Sequence, residues 1–287
     1  QSPLQIRQVA YNLCCRQNSF YRIQRKKREW RITLKIYGRF LLQNRTFYGI
    51  IDHDTVQELA GTSPENFHPV PNVWSLSELQ PLPLCRPGKI IGTGLNYRNL
   101  PPGKGGSLPS KPKIFLKSPQ AIVSSGQAII CPPECHELTA EVELAVAIGR
   151  AAKNVSPQQA PEYIWGYLTA NDVTASDLQR EDILWGRAKN FDTFLPLSQQ
   201  IVAGADPSQL TLRCLINGQE QLTGCSRDML QDIPHLISYL SQIMTLMPGD
   251  LILTGTPTGY GVPIAPGDQV CVCIDGIGKT ENPVLQC

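Results

Sequence analysis

Residues able to do chemistry concentrate first at Glu141-Val142-Glu143, where two carboxylates two positions apart run into an apolar stretch at 144–148. On a β-strand, side chains two apart point the same way. The stretch that follows is unbroken and aliphatic, the pattern of a strand covered on both faces, so at least one glutamate lies at the edge of a core. Two readings are open. The ordinary one is a pair of glutamates meeting water, since Glu is seldom buried. The other is a pair whose mutual repulsion is relieved by a hard divalent cation that also supplies a Lewis acid.

The elements that must position these glutamates are mostly strands. Phe40-Leu41-Leu42, Asn44-Arg45 and the run from Phe47 to Ile51 predict a hairpin turning at Asn44, at the start of a small β domain. Pro69, Pro71, Pro81, Pro83 and Pro87 predict a stiff connector. Further strands are expected at 89–97, at 113–117, through Glu141 itself, and at 165–173, with a short helix opened by Ser156-Pro157 and running towards Ile164. The glycine-rich and proline-rich segment 101–107 reads as a mobile flap. Residues 171–194 mix polar and aromatic side chains without a period, as cleft linings do. Asn217-Gly218 predicts a second hairpin turn. The strongest helical signal spans 228–244, where Ile233, Leu236, Ile237, Leu240, Ile243 and Met244 make an apolar stripe, and Pro248-Gly249 ends it. Late strands are expected at 251–253 and 270–274.

A chain of 287 residues with 41% hydrophobic content can build one large core, or a core domain with a small companion. No apolar run reaches membrane-spanning length. Among ten cysteines, the spacings Cys131 to Cys135 and Cys271 to Cys273 match neither a paired zinc pattern nor the redox dipeptide, which favours a reducing compartment. The net charge of +2 is uneven: residues 1–39 hold ten Arg or Lys against Glu29 alone, so the rest of the chain carries about −7. That segment, with its Arg25-Lys26-Lys27-Arg28 run, reads as an upstream extension or disordered tail, a transit-like segment, or a basic arm for nucleic acid or membrane. The first reading is favoured, with a cytoplasmic location, an organelle as the alternative, and neither membrane nor nucleic acid as partner.

Read along the chain, Gly94-Leu95-Asn96-Tyr97, Phe115-Leu116-Lys117, Glu141-Val142-Glu143-Leu144, the run from Asn171-Asp172 to Gln179, the run from Lys189-Asn190 to Pro196, and Thr254-Gly255-Thr256-Pro257-Thr258-Gly259 resemble the fumarylacetoacetate hydrolase family, in the same order. The resemblance covers about residues 40–285. It implies an α+β, strand-rich fold, a rolled mixed β-sandwich preceded by a small N-terminal β domain, and a homodimer. The implied division is a basic extension at 1–38, a small β domain with its proline-rich connector at 39–85, and a catalytic domain at 86–287. It further implies that Glu141, Glu143 and Asp172 hold Mg²⁺ or Mn²⁺, with Ca²⁺ a further candidate. Gln179 and Lys189 then face the substrate, Thr256 receives its carboxylate, and Lys117 lies near the cleft. Plainer readings of two of these are a surface Lys189 paired with Asp192, and a simple turn at Thr256.

Three carboxylates leave about half of an octahedral ion's positions for water and a chelating 2-oxo acid. The implied activity is metal-dependent hydrolysis of a C–C bond in a β-diketo or 2-oxo acid such as an acylpyruvate. Decarboxylation or tautomerisation of oxaloacetate, or isomerisation of a 2-hydroxy-diene-dioate, are the alternatives within the enzyme class. Three departures weigh against catalysis while leaving metal binding intact. Leu100 follows Asn96-Tyr97 where the family has a histidine that moves protons, Ser176 stands where arginine is common, and Ser198-Gln199-Gln200 replaces a Gly-Pro turn. A catalytically silent relative that binds metal and a small acid is therefore the third reading. None of His53, His68, His136 and His235 fills the gap; His136 has the wrong strand parity, and Glu137, which has the right one, is a candidate for supporting the ligands from outside.

Overall fold

The computed structural model describes residues 34–84, 86–99 and 109–287. Leu100, the 101–107 segment and the Arg25-Lys26-Lys27-Arg28 run lie outside the described residues. Val142–Ile148 is the strand around which the rest is laid, and all of its residues are buried. It pairs antiparallel with Ile164–Asn171 on one edge and with Leu251–Leu253 on the other. Both of its faces are also covered, which is why its sequence does not alternate.

From this centre the largest sheet runs outward in two directions. One passes through Ile201–Ala203 and Lys35–Leu42 to Arg45–Asp52, Thr55–Ala60 and the edge strand His68–Ser75. The other passes through Ile90–Gly94, which runs parallel to Leu251–Leu253, to the edge strand Lys113–Lys117. A five-stranded sheet, ordered Gln219–Cys225, Thr211–Ile216, Gln269–Ile274, Gly278–Gln286, Ile129–Cys131, packs on the central strands and closes the main apolar core. A smaller core of Phe40, Phe47, Val56 and Leu79 lies under the N-terminal strands. The architecture is strand-rich α+β, a mixed and rolled sandwich, with short helices at its margins. No helix among the described residues is long and apolar enough to cross a membrane.

A third, small sheet explains where the site sits. It joins Thr174–Ala175, Leu138–Ala140 and Val262–Ile264. The strand expected to run through Glu141 is thus two strands, Leu138–Ala140 in the small sheet and Val142–Ile148 in the large one, with Glu141 as the break between them. Its neighbour makes the same move: Ile164–Asn171 belongs to the large sheet and Thr174–Ala175 to the small one, crossing over at Asp172 and Val173. Two adjacent strands change sheets side by side. Glu141 and Asp172 occupy that corner.

Three other expectations are corrected. The proline-rich connector is largely strand: Pro69 and Pro71 lie in the edge strand His68–Ser75, and Pro81 in Gln80–Leu82, positions where a missing N–H is tolerated. Ser156-Pro157 leads only to a turn and a 3-10 segment at Ala160–Tyr163. The long helix is Ile233–Ile243, starting with its apolar stripe and five residues later than the expected span from Asp228, because Pro234 is accommodated only in a first turn and Asp232 caps it by accepting the His235 N–H at 3.0 Å. Both hairpins form as read, the second with Asn217 and Gly218 at φ 52° and 79°.

Candidate active site

The sheet corner gathers three carboxylates. One oxygen from each of Glu141, Glu143 and Asp172 lies within 4.8 Å of the others. Backbone pairing holds them there: the Asp172 N–H donates to the Glu141 carbonyl at 2.9 Å, and the Glu141 N–H donates to Asn171 Oδ1 at 2.9 Å. The Asn171 side chain thereby bridges the break in the Glu141 strand. Glu143 points into the same space from the central strand, and the Gly255 N–H donates to its Oε2 at 2.6 Å.

Two lysines complete the cluster. Lys189, at the end of the helix Gly186–Lys189, donates to Asp172 Oδ2 at 2.6 Å and to Glu141 Oε2 at 3.0 Å. Lys117, at the inner end of its edge strand, has Nζ 2.7 Å from Asp172 Oδ1 in an ion pair, and donates to the Val173 carbonyl at 3.3 Å. Both lysines are 2% exposed, so the reading of Lys189 as a surface residue paired with Asp192 is set aside. The Phe115 ring centroid lies 4.9 Å from Lys189 Nζ, and Trp185 packs edge-on against Phe115 at 5.6 Å, forming an aromatic wall.

With every group ionised, three carboxylates and two ammonium groups leave a formal charge of −1 in a buried space. The consequences differ by position. Burial opposes the charge on Asp172, but Lys117 and Lys189 outweigh it and hold its carboxyl below the ordinary range. Burial also opposes the charge on Lys189, yet Asp172 and Glu141 prevail and raise its pKa. For Lys117 burial wins, and its pKa is lowered despite Asp172. Burial raises Glu141 against the pull of Lys189. Glu143 is pushed well above the carboxylate range by burial, with Asp172 and Glu141 adding repulsion. The Gly255 N–H is its one hydrogen-bond partner among the described residues.

That imbalance is the test of fit for a cation. Hard oxygen donors converge from three side chains, and the carboxylate with the least compensation faces the shared space. The donor set fits a hard divalent cation.

The remaining residues singled out in the sequence lie in the adjoining loops and short helices. Thr256 lies in the loop after Leu251–Leu253, and its Oγ1 is buried without a hydrogen-bond partner. Gly255 in that loop has φ +92°, and a Cβ there would meet the Thr93 carbonyl at 3.1 Å, so glycine is required for the turn that aims its N–H at Glu143. Gln179 sits half-buried on the helix Ser176–Glu181, and its side chain makes no hydrogen bond to the described residues. His136 is exposed and offers its backbone N–H to Asp177 at 2.8 Å. Glu137 pairs with Arg180 at 2.8 Å on the surface, away from the role of supporting the ligands. Ser176 hydrogen-bonds Thr139 at 2.9 Å.

Residue-by-residue reading missed Asn171 Oδ1, the Gly255 N–H and the Phe115–Trp185 wall. It also missed the work of Asn96, which donates to the carbonyls of Thr254 and Gln231 at 3.0 Å and accepts the Gln231 N–H at 2.9 Å, fastening the loop of Thr256 in place. The signal was present for the last: Asn96 lies in a motif, and buried asparagines in loops commonly bridge backbone.

Comparison with known proteins decides the family. The model of the fumarylacetoacetate (FAA) hydrolase C-terminal domain matches residues 89–285. The chain belongs to the fumarylacetoacetate hydrolase family. An Rv2993c-like N-terminal model matches residues 37–83. Protein Rv2993c of Mycobacterium tuberculosis is 42% identical over 216 residues, covering 74% of this chain and 81% of that protein. The mitochondrial oxaloacetate tautomerase FAHD2A of Bos taurus is 38% identical, covering 71% and 68%. Among solved structures of the family, a 5-carboxymethyl-2-hydroxymuconate delta-isomerase from Mycobacterium smegmatis superposes with TM-score 0.81 at 38% identity over 88% of this chain and 100% of that one. A fumarylpyruvate hydrolase from Pseudomonas aeruginosa, in complex with Mn²⁺ and pyruvate, gives TM-score 0.66 at 25% identity over 71% and 92%.

Proposed function

We propose that this protein is a divalent-cation-dependent enzyme that interconverts keto and enol forms of a small 2-oxo acid of the oxaloacetate type. The observation that carries this is the undercompensated cluster of Glu141, Glu143 and Asp172 with two buried lysines beside it. Bound to those carboxylates, Mg²⁺ or Mn²⁺ supplies Lewis acidity to the carboxylate and carbonyl oxygens of the substrate.

The residues of the chain supply the rest. Lys189 presents a fixed ammonium to the oxygen on which negative charge grows when the C3 proton leaves. Thr256 Oγ1, buried and unpartnered, receives the second carboxylate of the substrate. Gln179, on the helix Ser176–Glu181, offers its amide, and Phe115 with Trp185 excludes water from one side. Tautomerisation asks for one proton to leave C3 and one to reach the carbonyl oxygen. Cleavage of a C–C bond asks in addition for water to be activated and for a carbanion to be protonated, and Leu100 in place of the family's histidine cannot move a proton. The tautomerase and isomerase among the 38%-identical relatives support the simpler reaction. The pyruvate complex of the 25%-identical hydrolase supports the second reading, hydrolysis of an acylpyruvate.

The test is the decay of freshly prepared enol-oxaloacetate with the full chain and Mg²⁺ or Mn²⁺, run beside acylpyruvate hydrolysis. Enol decay above the metal-only rate, lost in Asp172→Ala, is the expected result. Pyruvate release from acylpyruvate alone would transfer the assignment to the hydrolase. Calorimetric binding of oxalate with neither turnover would leave a binding protein in place of an enzyme.

A further inference from the structure

The strand Gln269–Ile274 carries two thiols that the carboxylate site does not use. Alternation buries Val270, Val272 and Ile274 against the core and leaves Gln269, Cys271 and Cys273 half-buried on the outer face of the five-stranded sheet. The two thiols therefore stand on one face, two residues apart. Strand register sets their neighbours: Arg213 and Lys279 are directly opposite Cys273 on the two flanking strands, and Leu215 and Glu281 are opposite Cys271. Such pairs place Cβ atoms about 4.5–5.5 Å apart. Arg213 is held in position by Asp275 at 2.6 and 3.0 Å and by Glu220 at 3.4 Å, and Lys279 by Glu281 at 3.1 Å.

Hydrogen bonding from Cys271 lowers the Cys273 thiol to about 7, with burial opposing and Arg213 assisting. The same bond, together with burial, raises Cys271. Cys273, opposite Arg213, is thus the more acidic of the two thiols. Three other cysteines differ: burial raises the thiols of Cys131, Cys135 and Cys214, the last two to about 12.

We propose that Cys271 and Cys273 are a peroxide-sensitive modification site that closes into a reversible disulfide within one strand. The Cys273 thiolate attacks one oxygen of hydrogen peroxide and breaks the O–O bond. Sulfur is oxidised to a sulfenic acid, and the other oxygen leaves as hydroxide, which takes up the proton that Cys273 released and becomes water. The Cys271 thiol then attacks the Cys273 sulfur, forming the S–S bond and releasing the second oxygen as water. Two thiols and one peroxide give one disulfide and two waters. Two residues along a strand separate Cα atoms by about 6.6 Å, at the long end of the disulfide range of about 4.4–6.8 Å. The closed form is strained and easily reduced.

The test uses the reduced full chain, exposed to hydrogen peroxide at neutral pH, alkylated and digested with trypsin. The tryptic peptide spanning 228–279 contains Cys271 and Cys273 and no other cysteine. Its expected fate is the loss of two hydrogens, restored by dithiothreitol, at a rate about tenfold above that of the exposed Cys287. Cys273→Ser abolishes the reaction, Cys271→Ser stops it at a sulfenic acid captured by dimedone on Cys273, and Arg213→Gln slows it several-fold. Thermal melting of each variant in reductant shows that it is folded. Oxidation of Cys287 before this peptide, or identical behaviour of the two serine variants, overturns the proposal.

Discussion

Glu58 and Glu143 are buried glutamates on strands of the same sheet, 6% and 2% exposed, and the fold treats them in opposite ways. Glu58 receives a bidentate contact from Arg45, an N–H from Trp74 at 2.8 Å and one from Asn72 at 3.2 Å. The Arg45 hydrogen bond is the largest of the effects that lower its pKa from 4.5 to about 2. Glu143 has one backbone N–H, sits among like charges and is raised instead. The first carboxylate is finished by its neighbours. The second is left needing positive charge, which is how a site for a ligand differs from a structural ion pair.

The largest expected effect that tests this contrast comes from Asp172→Ala. It removes the partner shared by Lys117 and Lys189, so kcat/KM for the 2-oxo acid falls by about 10³-fold and stability by about 3–5 kcal/mol in urea titrations. A loss of stability in this variant with activity retained would make the cluster structural, like that of Glu58. Next in size is the response to metal: Mg²⁺ or Mn²⁺ at about 100 times its Kd stabilises the wild type by about 2.7 kcal/mol in thermal melts. Glu143→Gln loses that response while melting no lower than the wild type in chelator, because it removes a repelled charge. Glu58→Gln keeps the full metal response.

The smallest effect concerns acid. The depressed pKa of Glu58 contributes stability that is present above its ordinary 4.5 and disappears as pH falls towards about 2. Glu58→Gln is therefore expected to be less stable than the wild type by about 1–3 kcal/mol at pH 7, with the difference closing across that acid window. Urea titrations between pH 7 and pH 2 check it. A constant difference would assign the cost to packing instead.

Much of this arrangement was legible before any coordinates, and the reasons are particular. The hairpin at Asn217-Gly218 and the stripe from Ile233 to Leu240 are local signals that tertiary packing did not override. The order of the motifs from Asn96 to Gly259 brought the family and its fold into view. What stayed hidden depended on contacts between distant segments. The break at Glu141 is invisible because Thr139 to Leu144 reads as one strand, and only pairing with Thr174–Ala175 shows that the chain changes sheets there. Lys117 looks like any lysine at the end of an exposed edge strand, yet it is buried because the Asp172 corner lies beneath it. The prolines of His68–Ser75 misled for the opposite reason, since an edge position removes the penalty that normally argues against a strand.

The sheet corner has a consequence for how the protein folds. The Glu141 and Asp172 backbones are joined through Asn171, a closure over 30 residues, and Lys189 reaches Asp172 over 17, whereas the Gly255 N–H reaches Glu143 across 112. Shorter closures cost less chain entropy, and the longest of these costs about 1 kcal/mol more than the 30-residue one. The carboxylates can thus meet while the segment that caps Glu143 is still unplaced, as can a strand pair of low contact order. Repulsion among them then falls on the route to the native state as well as on its end, and whatever neutralises that charge alters the speed of folding along with the depth of the well.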